Sequence, residues 1–273
     1  MTEKLRVLAI GAHPDDCDYR FGGCAIKYVR LGHRVKFVSL TNGDGGHYRE
    51  GGGPLAQRRL QEAQNVARLA GIEYQLVDLH DAELMPTLEN RWLVVRIIRE
   101  FQPDLVVTNR PNDYHPDHRY TSQLVQDAAY TVTIPNVQAL TPHLQYNPVI
   151  AYWNDGFQRP YPHTPDVAVD IDDVAEQKVD LLDCHVSQFY EWLPYNHGVM
   201  DQLPDSPKER RDWLAAQRLA AMAKEADRCR HLLKRFYGEE TGSSVRYCES
   251  FEFGEYGGRV TEEDLPRLFP FLG

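Results

Sequence analysis

Cysteine is scarce in this chain: five thiols (Cys17, Cys24, Cys184, Cys229, Cys248) among 273 residues, an odd number with no C-x-x-C spacing. That argues against a disulfide framework or an all-cysteine metal site and suits a reducing compartment. No window approaches the ~18 uninterrupted apolar residues of a membrane span. The opening Met1-Thr-Glu-Lys-Leu-Arg has no apolar core of a secretory signal, so the expected location is the cytoplasm. Positive charge is also in short supply. Lys and Arg number 30 against 40 Asp and Glu, a net charge of −10, which speaks against a general binder of nucleic acid or anionic membrane. Repeats, low-complexity tracts and linkers are missing too, and residues 1–273 read as one domain.

What is present is an alternation of strand and helix. Leu5–Gly11 is a short apolar run ending in Gly, the pattern of a buried strand. Strands follow at 34–40, 74–79 and 104–108, with helices at 22–32, 54–70, 88–101 and 121–130 between and after them. Such alternation predicts right-handed crossovers, hence an α/β, Rossmann-like, mostly parallel sheet with helices on both faces. Further strands are expected at 149–153 and 167–171, and helices at 172–188 and from Pro207 to near Gly238. The basic residues of the last helix are interleaved with Glu209, Asp212, Glu225 and Asp227, which favours a solvated face over a docking surface for an anionic partner.

Two short motifs concentrate the chemistry. Ala12-His-Pro-Asp-Asp16 follows the first strand, and His115-Pro-Asp-His118 follows the fourth. Both are read as loops at the carboxyl ends of parallel strands, where open α/β sheets place their sites. If the strand order is 3-2-1-4-5, the two motifs flank one crevice despite their separation in sequence. Two imidazoles and a carboxylate form a ligand set for catalytic zinc, and His13, Asp16 and His118 supply one. Zinc lowers the pKa of its water towards ~7, and a further carboxylate, Asp15, is available as general base. His115, protonated through a hydrogen bond to Asp117, is the expected partner of a developing oxyanion.

These motifs make the sequence resemble the PIG-L/LmbE-like metal-dependent N-deacetylases. The similarity extends to Gly22-Gly23, to Pro111-Asn-Asp-Tyr ahead of His115, and to Arg59-x-x-Glu62-Ala63. It continues through Asp166–Ile171 with Lys178, His185, Ser187 and Gln188, and through Cys248–Phe251. The resemblance implies a Rossmann-like fold and zinc ligation by His13, Asp16 and His118. It makes Asp15 the general base, His115 the oxyanion stabiliser and Asp117 its partner, and brings Arg59 to the substrate site. It also implies removal of an acetyl group from an amino-sugar conjugate of the N-acetylglucosamine type, a small-molecule substrate, and leaves a homo-oligomer open. The segment near 194–240 is longer and more helical than the family pattern.

Other readings stand beside this one. Iron(II) accepts the same two-His-one-carboxylate set, as in oxygenases, although the βα alternation speaks against their usual barrel scaffold. A sugar-binding relative without catalysis would have no need of Asp15. The glycines at 43–46 and 51–53 suit either a mobile lid or a plain surface loop. Tyr152, Trp153, Phe157, Tyr190 and Trp192 are read as packing rather than sugar-stacking residues, and His185 as structural.

Overall fold

The computed structural model describes residues 4–273. Strands β1 (Arg6–Gly11), β2 (Arg34–Ser39), β3 (Glu73–Leu76), β4 (Leu105–Thr108) and β5 (Val149–Trp153) run parallel. Two further strands, β6 (Val167–Asp170) and β7 (Cys248–Gly257), complete a seven-stranded sheet in the order β3-β2-β1-β4-β5-β7-β6. β7 lies between β5 and β6 and is antiparallel to both.

The central strands are rich in apolar residues because both sides are covered. Val7 and Ala9 of β1 pack into one core with Phe21, Val66 and Leu181; Leu8 and Ile10 pack into another with Val94, Ile98, Leu124 and Val125. The first core is roofed by α1 (Asp16–Arg30), α2 (Gly52–Ala70) and, after β6, α5 (Ala175–Asp183). The second is roofed by α3 (Leu88–Phe101) and α4 (Pro116–Thr131). Layered helices on the two faces therefore match the fold class expected from the alternation.

Several boundaries differ from those read in the sequence. α1 starts at Asp16 and α4 at Pro116, so both chemical motifs end inside helices. Pro116 takes the first helical position, where its missing N–H costs nothing, and the His115 Nδ1 accepts the Asp117 amide at 3.2 Å as the cap. The expected helix at 172–188 stops at Asp183; a π-helical stretch, Ser187–Trp192, and a short turn, α6 (Leu193–Asn196), follow. The long helix is two: α7 (Pro207–Arg228) and α8 (Arg230–Tyr237), broken at Cys229. β7 was not read as a strand, since Glu249 and Ser250 interrupt its apolar character. Both are buried. Glu249 accepts the Gly23 and Cys24 amides at 2.8 Å each and the Lys178 ammonium at 2.7 Å, so the fold satisfies its charge internally.

Among the described residues, no helix is long and apolar enough to cross a membrane. The feature that matters for chemistry is the end of β1. It pairs with β2 on one side and β4 on the other, with Ile10 beside Thr108. The chain leaves β1 for one flank of the sheet and later returns to the other, which opens a crevice above the carboxyl ends of β1 and β4.

Candidate active site

The turn after β1 is shaped by its own carboxylate. Asp16 Oδ2 accepts the amides of Ala12 at 2.8 Å and His13 at 3.0 Å, while the Ala12 carbonyl accepts the Thr41 amide and hydroxyl, both at 2.8 Å. Gly11 is required here, since a Cβ would stand 2.7 Å from that of Asp16. The turn thereby aims His13, Asp15 and Asp16 into the crevice, and the first turn of α4 brings His118 to meet them.

His13 Nδ1 and His118 Nε2 lie 3.1 Å apart. Asp16 Oδ2 is 3.7 Å from the former and Asp16 Oδ1 3.4 Å from the latter. A tetrahedral ion with bonds of about 2.0–2.2 Å holds its ligand atoms about 3.4 Å apart, so these three side chains fit a divalent cation. Burial opposes ionisation of Asp16, but His118, His13 and the two amides hold its carboxyl below the ordinary range. His115 also brings a donor atom near those of His13 and His118, and its ring stands edge-on to His13 with centroids 4.6 Å apart.

The far nitrogens of both imidazoles face carboxylates. His118 Nδ1 is 3.0 Å from Asp113, and His13 Nε2 is 3.0 Å from Asp81 and 3.4 Å from Asp117. A carboxylate behind a ligating imidazole sets the tautomer and strengthens the ligand. Burial acts to lower the His13 pKa, yet Asp117, Asp81 and Asp16 raise it to about 10 in the metal-free chain. The same negative field favours a bound cation. Asp81, the third residue of this arrangement, is pushed by burial towards neutrality but held at about 2 by His13.

The expected pairing of Asp117 with His115 is not formed. Asp117 is wholly buried, and its Oδ2 accepts the Ala82 amide at 2.7 Å and faces His13. His115 in turn has its Nδ1 occupied by the helix-capping amide. Its pKa is lowered, first by burial and then by the charges of His13 and His118. The shift runs away from the protonated ring expected from the sequence, and with Nδ1 taken by the capping amide, Nε2 is the nitrogen left to donate. A neutral N–H still donates a hydrogen bond to an oxyanion.

Arg59 reaches the crevice, as the resemblance implies, but its guanidinium is committed to a neighbouring carboxylate. It is 1% exposed, and its Nη2 donates to Asp15 Oδ1 at 2.8 Å. Burial raises the Asp15 pKa and Arg59 opposes that rise. Gly43 lies against this arginine: at φ +73° a Cβ would come within 2.5 Å of Arg59 Nη1. The α2 motif continues to Glu62, which accepts the Ser187 amide at 2.9 Å and hydroxyl at 2.6 Å, while Gln188 donates to the Gly46 carbonyl at 3.0 Å. His185 is buried beside Asp18 Oδ2 at 3.2 Å, a structural position as read from the sequence. The loop after β2 is thus tied to the π-helical stretch on one side and, through Tyr48 stacked on Tyr195 at 4.1 Å, to α6 on the other.

Two cavities meet at these residues. One, of about 300 Å³, is lined by His13, Arg59, Asp81, His115 and Trp192; the other, of about 210 Å³, runs from Asp16 and His118 to Tyr19, Trp213 and Arg218. Trp192 and Trp153 accordingly face cavities, and α7, besides its solvated face, contributes a cavity wall through Trp213 and Arg218. Asp81, Asp113 and the α7 residues escaped the sequence reading. Asp113 sits two residues before His115 and could have been found as a carboxylate behind a histidine; Asp81 and α7 carry no local signal.

The family profile of PIG-L, described as GlcNAc-PI de-N-acetylase, matches residues 8–129. A diacetylchitobiose deacetylase of Thermococcus kodakarensis is 34% identical over 211 residues, covering 71% of this chain and 76% of its own. A probable N-acetyl-alpha-D-glucosaminyl L-malate deacetylase 2 of Bacillus anthracis is 27% identical over 199 residues, covering 69% and 84%. Among solved structures, the N,N'-diacetylchitobiose deacetylase from Pyrococcus horikoshii, complexed with an inhibitor, superposes with a TM-score of 0.67 at 29% identity, covering 92% of this chain and 84% of that one. These relatives are deacetylases. With its two motifs converging on one crevice, the chain belongs to the PIG-L (GlcNAc-PI de-N-acetylase) family.

Proposed function

We propose that this protein is a zinc-dependent hydrolase that removes the acetyl group from the N-acetyl amide of an N-acetylglucosamine-type conjugate. The observation that carries the reading is the convergence of His13, Asp16 and His118, with a second carboxylate, Asp15, beside them but held by Arg59 instead of by the ligand set. The named substrates of the relatives supply the sugar class. The oxygenase and non-catalytic readings are set aside, since the relatives are deacetylases and Asp15 is in place.

His13, Asp16 and His118 would hold a divalent ion, which when bound would supply the Lewis acidity to acidify water and polarise an amide carbonyl. Asp113, Asp81 and Asp117 keep the two imidazoles oriented towards it. Asp15 takes the proton of the attacking water as its oxygen bonds to the carbonyl carbon. The His115 Nε2–H donates to the carbonyl oxygen as negative charge develops there. Asp15 then returns the proton to the amide nitrogen as the C–N bond breaks, and acetate and a free amine leave. Burial raises the Asp15 pKa and the Arg59 guanidinium opposes the rise.

In the same reading the chain works as one domain in the cytoplasm on a small molecule, and a homo-oligomer is compatible with it. Support for one domain comes from all seven strands joining a single sheet. The test is Asp15→Asn assayed by amine release from N,N'-diacetylchitobiose, with metal content measured in parallel. The variant should keep its metal and lose about 10²–10⁴-fold in turnover. Near-normal turnover would remove Asp15 from its role, and failure of the zinc-loaded parent to release amine from this and other N-acetylglucosamine conjugates would remove the proposed reaction.

A further inference from the structure

Two arginines in the cavity that leads away from the metal ligands lack acidic partners. Arg20, from α1, has its guanidinium carbon 4.5 Å from the Tyr19 ring centroid, and Arg218, from α7, stands 5.3 Å from the same ring. Arg218 donates to the Tyr19 hydroxyl at 3.0 Å and to Gln217 at 3.4 Å, while its Nε is buried with no partner. Neither guanidinium forms an ion pair with a carboxylate among the described residues. Yet the chain carries ten more acidic than basic residues, by 40 − 30, and other arginines of α7 are paired: Arg211 with Glu176 and Asp180, and Arg228 with Glu225.

The carboxylates nearby are already engaged. Glu225 accepts from Asn154 at 2.6 Å and also from Ser250 and Arg228. Glu249 is occupied by Lys178 and the two α1 amides. Asp15 and Asp16 belong to Arg59 and the ligand set. A cavity of about 210 Å³ is lined by Asp16 and His118 and also by Arg20 and Arg218; a second, of about 100 Å³, continues past both arginines. Against burial, Arg20, Arg218 and Lys178 pull the Tyr19 hydroxyl below its ordinary pKa.

We infer that Arg20 and Arg218 bind an anionic group, carboxylate or phosphate, carried by the aglycone of the substrate, and so select acidic conjugates over neutral ones. The inference rests on the deacetylase reading only for placing the acetyl amide at the metal ligands. Guanidinium groups recognise carboxylate and phosphate through paired, charge-assisted N–H donors, and both side chains lie against the Tyr19 ring and line the same cavity. The named substrates of the relatives include a neutral disaccharide and a malate conjugate, and these two positions place this chain with the acidic class.

The experiment uses three matched glycosides of N-acetylglucosamine: methyl, carboxymethyl and 1-phosphate. Their binding to the zinc-loaded full chain carrying Asp15→Asn, which suppresses turnover, is read by calorimetry. The charged compounds should bind about 10- to 100-fold more tightly than the methyl glycoside, the range expected of hydrogen bonds to a charged group. Whichever charged compound binds more tightly identifies carboxylate or phosphate as the group. Adding Arg218→Met or Arg20→Met should collapse the preference to within about threefold, whereas Arg218→Lys should keep part of it. Equal binding of charged and methyl glycosides, or an intact preference in folded Arg218→Met, would overturn the inference; should that variant not fold, Arg20→Met decides by the same criterion. Amine release by the parent enzyme is scored separately and bears only on the deacetylase reading, so the two can fail independently.

Discussion

Arg59→Met separates a positioning role for this arginine from a substrate-binding one. Its guanidinium is buried 2.8 Å from Asp15. At an effective dielectric of about 20, two unit charges at that distance attract by about 6 kcal/mol, and much of this offsets the cost of taking both out of water. What remains visible to catalysis is the bias on Asp15. An opposite charge this close lowers a carboxyl pKa by about 1–3 pH units, and burial already pushes Asp15 up. Without Arg59 the Asp15 pKa therefore rises further, and a general base acts only when ionised. The acidic limb of the kcat/KM profile should move to higher pH by about 1–3 units. Below both limbs the variant should be about 10- to 1000-fold slower, with the deficit narrowing as pH rises; Arg59→Lys should shift the limb less. The assay is amine release by metal-loaded protein from about pH 5 to about pH 9. An unmoved limb with KM raised at every pH would refute the reasoning and return Arg59 to the substrate.

Further outcomes follow from other contacts. Gly43→Ala meets both a left-handed backbone at φ +73° and the Arg59 side chain; a stability loss of about 1–3 kcal/mol, measured by urea melting, should accompany the pH profile of Arg59→Met, and a parent-like profile would contradict that linkage. Arg99 is 2% exposed and donates to the carbonyls of Thr131, Val132, Ile134, Val137, Gln138 and Thr141. Arg99→Met should cost more than about 3 kcal/mol, since those buried acceptors lose their donor, and a loss below about 1 kcal/mol in denaturant titration would count against this account. If the convergence of His13, Asp16 and His118 is a zinc site, zinc at a thousandfold excess over its Kd should add about 4 kcal/mol of stability. Melting with and without chelator checks this, and His118→Ala should abolish the increment.

The sheet was legible because its central strands are buried on both sides. Runs such as 7–11 and 105–107 carry no polar side chain, and Gly71 and Pro103 mark helix ends through backbone chemistry alone. β7 was not legible. Glu249 reads as a surface residue until Lys178, far away in sequence, neutralises it in the core. The motif boundaries failed for a related reason: the polar starts of α1 and α4 look like loop, and only the capping of α4 by His115 shows that its ligand-bearing residue is helical.

Residue types and short spacings sufficed to expect His13, Asp15, Asp16, His115 and His118 around one crevice, and the structure brings them together there, because the strand ends say where such loops gather. Who partners whom was settled in three dimensions. Asp117 turned to His13 and the Ala82 amide because a helix N-terminus claims the facing nitrogen of His115. Arg59 reached Asp15, and Arg218 came to the cavity wall, through packing of α2 and α7 that no local pattern encodes. Side-chain identity travels with the chain, whereas the pairing of charges depends on distances that exist only after the helices have docked on the sheet.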